Sequence, residues 1–138
     1  AAGISKKATT LWGCQIVCKV SDPDVVRKSL GTGMTRSATA LRLAARQLHG
    51  GIVAIGNAPT ALHEAITLFE KGVLKPALIV GMPVGFVQAR ESKERLSRCP
   101  LPYITNIDRK GGTPATAAAL NALILLAEHH AEDIKEYH

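Results

Sequence analysis

Residues 108–114, DRKGGTP, place two cations and two glycines directly before a predicted helix. Arg109 and Lys110 offer charged hydrogen-bond donors, and a turn at Gly111 and Gly112 would expose main-chain N–H groups beside the positive end of the helix dipole. This combination favours the binding of an anion. A solvated charge pair on a surface loop is the alternative, and the Walker spacing of phosphate-binding loops is absent from the sequence.

The loop at residues 81–86 follows an apolar run and contains no charged side chain. Pro83 restricts its backbone, whereas Gly85 allows backbone angles that other residues rarely adopt. Such a loop could bring its main chain flat against a large ligand, with Met82 and Phe86 as apolar contacts. The alternative is a tight structural turn that covers the edge of a sheet.

Two predicted helix starts carry polar groups that a ligand could use. Asn57 precedes Pro59, where its amide could bind a ligand or cap the following helix. Arg36 opens another helix, and a positive charge there opposes the helix dipole unless an anion is bound beside it. Thr35 or Ser37 is predicted to cap that helix.

A general acid must be a histidine or carboxyl group within reach of the reacting atoms. Four of the five histidines fall at predicted helix ends or in the C-terminal tail, and His63 borders an apolar stripe. Spacing alone therefore identifies no catalytic residue.

Four short apolar runs must position these loops. They span residues 15–20, 52–55, 77–80 and 103–107, and helical patterns lie between and after them. The alternation predicts an α/β fold, a parallel sheet flanked by helices on both faces in a Rossmann-like three-layer sandwich. The carboxyl ends of parallel strands meet at one edge, so we expect the candidate loops to converge there.

Length and composition narrow the classes of partner. With 138 residues we expect one domain over residues 1–138, and 17 Lys and Arg against 11 Asp and Glu give a formal charge of +6 that attracts anions. Nucleic acid is disfavoured because the cations form no block and aromatic residues make up only 4% of the chain.

The cysteines and the hydropathy pattern predict a reducing, cytoplasmic setting. Cys14 and Cys18 would be roughly 13 Å apart in a strand, too far to form a disulfide. The three cysteines are therefore interpreted as small buried thiols in a reducing compartment, and a metal site is not expected. No apolar run is long enough to span a bilayer, and the first residues do not resemble a signal peptide.

The loop motifs together resemble the precorrin-8X methylmutase family of cobalamin biosynthesis. The segments that carry the resemblance are GIVAIGNAPTAL, PALIVGMPVGFVQARESKERL and LPYITNIDRKGGTPATAAALNAL. TRSATALRLAA, AAGISKKA and GCQIVCKVSDPDV are similar to the same family, so the likeness covers nearly the whole chain.

This resemblance implies an isomerase that moves a methyl group from C-11 to C-12 of a corrin-type macrocycle, giving hydrogenobyrinic or cobyrinic acid. It implies no cofactor, and a homodimer as the assembly. Arg36, Arg109 and Lys110 would bind carboxylates of the tetrapyrrole. Residues lining the macrocycle would be Asn57, Met82, Pro83, Val84, Gly85 and Phe86. Thr35, Gly111 and Gly112 complete the implied substrate-binding set.

One part of the family pattern is missing from this sequence. Family members carry their proposed catalytic acid, a histidine, in a section that precedes the segment matching AAGISKKA, and no histidine here matches it. We therefore expect an N-terminally truncated version of the fold, either a piece of a longer methylmutase or a shortened relative, with a sheet edge left exposed. A non-catalytic corrinoid-binding protein and a phosphate- or nucleotide-binding enzyme are the alternative functions.

Overall fold

The structure, a computed structural model, describes residues 3–6, 10 and 12–136 of the chain. We number the helices and strands in chain order within that part. They are α1 (Pro23–Thr32), α2 (Arg36–Ala44), a short 3-10 helix (Ala45–Leu48), β1 (Ile52–Ile55), α3 (Pro59–Glu70), β2 (Leu78–Gly81), α4 (Val87–Ser97), β3 (Tyr103–Thr105) and α5 (Thr113–Glu136).

The three strands form one parallel sheet in the order β1-β2-β3. Val53 lies opposite Ile79, and Val80 lies opposite Ile104. Each strand is followed by a helix, as the alternating sequence pattern predicts. Because all three strands run the same way, the loops that follow them emerge at a single edge of the sheet.

One face of the sheet is covered by α3 and α4. Val53 and Ile79 pack there with Leu62 and Ile66 of α3 and with Leu96 of α4, and all five are buried. Burying each Leu or Ile side chain contributes about 1.5–3 kcal/mol of favourable transfer free energy. The apolar stripe of α3 follows helical spacing, as expected from the sequence.

The opposite face is covered by α5. Val80 points to this face and is fully buried, and Ala117 and Leu120 of α5 are also buried. Helices therefore pack on both faces, which confirms the three-layer α/β architecture. None of the helices in the described ranges has the length and apolarity that crossing a bilayer requires.

Local signals set the helix ends. The carboxylate of Asp22 accepts a hydrogen bond from Asp24 N at 2.9 Å and begins α1, and Gly33 ends it with φ of 71°. The hydroxyl of Thr35, one of the two caps predicted from the sequence, accepts from Ala38 N at 3.3 Å and caps α2.

The predicted strand at residues 15–20 is wrong. This segment has no regular secondary structure and forms no ladder with β1. Cys14 and Cys18 are exposed here, so the prediction of buried thiols is wrong for both, because no described element packs over them. Its apolar alternation is strand-like, but a strand also needs a hydrogen-bonding neighbour, and a cavity of about 760 Å³ lies between the segment and β1. The predicted strand at 103–107 ends at Thr105, because the Asn106 side chain turns back to donate to Lys110 O at 2.6 Å.

Candidate functional site

The loop after β2 and the loop before α5 are joined by their main chains. Met82 N donates to Ile55 O at 2.8 Å, and Met82 O accepts from Gly112 N at 2.8 Å. At Gly111 φ is 142°, and a Cβ there would overlap the Met82 carbonyl oxygen. Only glycine lets the two backbones approach so closely. The sequence signal of two adjacent glycines thus reflects a contact between two loops.

A buried cation supports the cation-bearing loop from below. Lys93 of α4 is only 4% exposed, and its ammonium donates to Asp108 O at 2.9 Å and also to Lys110 O. Asp108 adopts a φ of 69°, unusual for a non-glycine residue. Burial lowers the pKa of Lys93, and the negative charge of Asp108 opposes that shift. The loop therefore turns two carbonyls inward, while the side chains of Arg109 and Lys110 stay exposed.

Arg109 and Phe86 form the rim where the two loops meet. The Arg109 guanidinium carbon lies 5.3 Å from the centroid of the Phe86 ring, within cation–π distance. Phe86 is 76% exposed, and Val84 and Gly85 beside it are exposed as well. This corner therefore offers an apolar surface with a positive charge at its border.

The loop after β1 packs against the start of α5. A Cβ at Gly56 would lie 2.9 Å from Thr113 Cα and 2.7 Å from Thr116 Oγ1, so glycine is needed at this contact. Asn57 is exposed. It does not cap α3, because Ala58 occupies the N-cap position and no side chain bonds there. The capping alternative for Asn57 is therefore wrong.

The start of α2 joins the same region through two hydroxyls. Thr35 Oγ1 and Thr60 Oγ1 are 2.7 Å apart, which links the helix cap to the first turn of α3. Arg36 follows directly and is exposed. Among the residues that the structure describes, Arg36, Arg109 and Lys110 form no ion pair. Their charges are therefore not neutralised by neighbouring carboxylates.

The predicted residues thus gather through a chain of contacts, with two qualifications. One contact runs from Thr35 to the first turn of α3, which follows the loop after β1. Others run from the loop after β1 to the start of α5 and from the loop before α5 to the loop after β2. Pro83 has a fully buried side chain and stiffens its loop from within, and Gly112 is also buried. Those two positions offer no side-chain surface to a ligand.

The family model for precorrin-8X methylmutase matches residues 1–126. The chain belongs to this family. The matched region includes all three joined loops.

Named relatives and a solved structure are similar over most of this chain. A cobalt-precorrin-8 methylmutase from Priestia megaterium is 48% identical over 126 residues, 91% of this chain and 56% of that protein. A precorrin-8X methylmutase from a Sinorhizobium species is 46% identical over 113 residues, 80% of this chain and 54% of that protein. The crystal structure of a precorrin-8X methylmutase from Thermus thermophilus matches with a TM-score of 0.81 and 40% identity, covering 91% of this chain and 60% of that one. The chain thus spans a little over half the length of these methylmutases.

Two residues beside the candidate loops of this methylmutase-family chain were not predicted from the sequence. Lys93 lies on the buried stripe of α4 with Ala89 and Leu96, and a charge on such a stripe is a signal that could have identified it. Asn106 immediately follows β3, and its Oδ1 is buried without a hydrogen-bond partner in the described part of the chain. A polar residue directly after a buried strand is a recognisable pattern at the ligand-binding edge of a parallel sheet.

His63, the one histidine beside an apolar stripe, is engaged elsewhere. Its Nδ1 is 3.4 Å from Arg95 Nη1, between α3 and α4. Burial lowers the pKa of His63, and the positive charge of Arg95 lowers it further. The His63 ring therefore has a structural partner, and it lies in none of the candidate loops.

Proposed function

We propose that this chain supplies the substrate-binding loops of a precorrin-8X or cobalt-precorrin-8 methylmutase. The reaction is an isomerisation that moves a methyl group from C-11 to C-12 of the corrin macrocycle. The observation that carries the proposal is the 2.8 Å bond from Gly112 N to Met82 O. That bond brings a loop whose two cations form no ion pair within the described part of the chain beside a loop with an exposed apolar surface.

A corrin precursor has the matching chemistry, a broad flat ring with carboxylates around its border. Val84, Gly85 and Phe86 would lie against the ring, while Arg109 and Lys110 would bind carboxylates at the rim. The positive end of the α5 dipole supports the same charge preference. Arg36 and Asn57 would contact the substrate from the side of the loop after β1. This chain's own part is binding and orientation, and we assign the proton-donating role to none of its residues.

Titration of the protein with hydrogenobyrinic acid, followed by the visible spectrum, tests the rim assignment. Arg109→Ala should weaken binding roughly 5- to 30-fold, since a charge-assisted hydrogen bond at a partly exposed site contributes about 1–2 kcal/mol. Arg98→Ala is the matched control, because Arg98 is exposed at the opposite end of α4. Equal losses in both variants, or none in Arg109→Ala, would remove the assignment.

Corrinoid binding without turnover is the second candidate. The observation that favours it is the pairing of His63 with Arg95, away from the loops. Incubation with precorrin-8X separates the two functions, because isomerisation changes the visible spectrum toward that of the product. Saturable binding with no such change would support binding alone for this chain.

The oligomeric state and the cellular location of the protein are proposals. Leu125 and Leu126 of α5 are 56% and 66% exposed, an arrangement consistent with a homodimer. Sedimentation analysis of wild type and Leu126→Asp tests this, since loss of a dimer in the variant is the expected result. One domain over residues 1–138, a cytoplasmic location and the absence of a nucleic-acid partner remain predictions from the sequence.

A further inference from the structure

Helix α5 extends well beyond the sheet that it covers. Its 24 residues span about 36 Å, whereas a strand of four residues such as β1 spans about 13 Å. The buried residues of α5 are Thr116, Ala117 and Leu120, and none of residues 121–136 is buried. The second half of the helix therefore has little packing within the described part of the chain.

The side of α5 opposite to Ala117 and Leu120 faces solvent. Its residues recur every three or four positions, as the period of a helix requires, and all of them are exposed. We name these residues the outer stripe: Ala118, Ala122, Leu125, His129, Asp133 and Glu136. The stripe begins with small side chains, has a leucine at its centre and ends with carboxylates. A large side chain beyond small ones fits an antiparallel second helix of the same sequence, in which the leucine of each copy meets an alanine of the other.

The charge of this helix end is opposite to that of the rest of the chain. Residues 127–136 contain four carboxylates and one lysine, a net charge of −3. Because the formal total is +6, the other residues together carry +9. Asp133 and Glu136 form no ion pair within the described part of the chain, and neither do Arg109 and Lys110. The family match ends at residue 126, so this acidic end is no part of the matched region.

Charge decides the direction in which two copies of the outer stripe can pair. Parallel helices would place the carboxylates of both copies side by side, which is unfavourable. Antiparallel helices place the carboxylates of each copy beside the start of α5 in the other. The helix dipole is positive there, and Arg109 and Lys110 are exposed just before that start. The antiparallel arrangement therefore joins opposite charges at both ends.

The register of the pair follows from its centre. Leu125 of each copy meets Ala122 of the partner subunit. In an antiparallel pair, each step toward the end of one helix is a step toward the start of the other. Glu136, eleven residues after Leu125, therefore lies near Gly111 of the partner subunit, eleven residues before Ala122. Gly111 directly follows Lys110, so the apolar centre and the charged ends fit one register.

We propose that α5 pairs antiparallel with α5 of a second copy, and that Asp133 and Glu136 of each copy lie against Arg109 and Lys110 of the partner subunit. Each candidate site then contains acidic side chains from the other chain. On the proposed function, these carboxylates stand where those of the corrin bind, so self-association lowers the affinity for the ligand. Only this competition rests on the proposed function, because the pairing itself depends on the helix and its charges.

Sedimentation equilibrium of the full chain tests the pairing. Wild type should form a dimer whose dissociation constant rises with added salt, because salt screens charges at the surface. A variant with Asp133→Asn and Glu136→Gln should raise that constant by about fivefold or more at low salt. Glu128→Gln is the matched control and should dimerise like wild type, because Glu128 lies on the same helix end but outside the outer stripe.

An exchange of charges identifies the contact. Lys110→Glu and Glu136→Lys should each weaken the dimer, since each places like charges together. Both side chains are exposed, so neither change disturbs the core. The double variant should recover a dissociation constant within about threefold of wild type, whereas charges that do not meet would give additive losses.

Titration with hydrogenobyrinic acid tests the competition. The variant with Asp133→Asn and Glu136→Gln should bind it roughly threefold more tightly than wild type at concentrations where wild type is dimeric. On dilution to the monomer this difference should disappear. If neither protein binds the corrinoid at any concentration, the proposed function fails, whereas the pairing is still judged by sedimentation.

Three results would overturn the inference. A wild type that stays monomeric at every concentration would remove the pairing, and so would additive losses in the charge exchange. A dimer that responds neither to salt nor to the carboxylate variant would show that another face holds the two copies together. Equal corrinoid affinity of dimer and monomer would remove the competition.

Discussion

Replacing Lys93 by Met tests whether the buried ammonium holds the cation-bearing loop. The change keeps an unbranched side chain of similar length and removes the donor that Asp108 O and Lys110 O share. Each buried carbonyl that loses its hydrogen bond costs about 1–3 kcal/mol. Removal of the buried Lys93 charge also removes its desolvation penalty, which offsets part of the cost at the two carbonyls. We expect a net loss of about 2 kcal/mol in the free energy of unfolding, or a fall in Tm of roughly 8 °C for a chain of this size.

Urea denaturation and calorimetry of wild type and Lys93→Met measure this loss. Arg90→Met is the matched control on the same helix, because Arg90 pairs with Glu94 at the surface, where both side chains are more than half exposed. That variant should stay close to wild type. A stability of Lys93→Met equal to that of wild type would refute the assigned role of the ammonium.

The pH dependence of the same difference gives a second check. Because burial lowers the pKa of Lys93 below 10.5, the unfolded chain binds the proton more tightly than the folded chain. Wild type should therefore gain stability relative to Lys93→Met as the pH rises toward 10.5. The neutral amine keeps two N–H groups, one for each carbonyl. A difference that shrinks over this range would contradict the explanation.

Three further predictions concern His63 and Gly111. The pKa of His63 is lowered in the folded chain, so the unfolded chain binds a proton more readily, and the free energy of unfolding should fall as the pH drops below 6.5. Urea denaturation at several pH values should show a smaller fall for His63→Gln. Arg95→Met should raise the pKa of His63, which NMR titration of the ring protons would show; an unchanged value would contradict the contribution of Arg95. Gly111→Ala should destabilise by roughly 2 kcal/mol or more, because its Cβ meets Met82 O. Gly72→Ala is the control, because Gly72 also has a positive φ but has open space around the added Cβ. Thermal denaturation of both variants should show a smaller loss of stability for Gly72→Ala.

The periodicity of apolar residues and the positions of glycines predicted individual helices and strands. The stripe of α3 is visible because Leu62 and Ile66 recur at helical spacing, and β1 is visible because it is an apolar run bounded by glycines. Residues 15–20 carry the same kind of signal but form no strand. Pairing is a property of two segments, and no single segment can reveal whether its neighbour is present.

At the candidate site, too, local features could be predicted from the sequence and contacts between segments could not. Adjacent cations and glycines before α5 predicted an anion-binding loop, and parallel strands predicted that the loops would meet. The bond from Gly112 to Met82 O and the stacking of Arg109 on Phe86 depend on distances across the sheet. Those contacts join residues far apart in sequence, so they cannot be predicted from the spacing of residues within one segment.

Lys93 connects the stability of the loop with its charge. A loop at a ligand edge exposes either its carbonyls or its N–H groups, and outward carbonyls would repel a polyanion. The Lys93 ammonium turns Asp108 O and Lys110 O inward, so exposed Arg109 and Lys110 and the α5 dipole dominate the outward field. A methionine at this position would keep the packing of α4 but release those carbonyls toward solvent. On the proposed function, we therefore expect Lys93→Met to weaken corrinoid binding although the Lys93 ammonium is buried against main-chain carbonyls, and addition of salt should reduce the wild-type advantage.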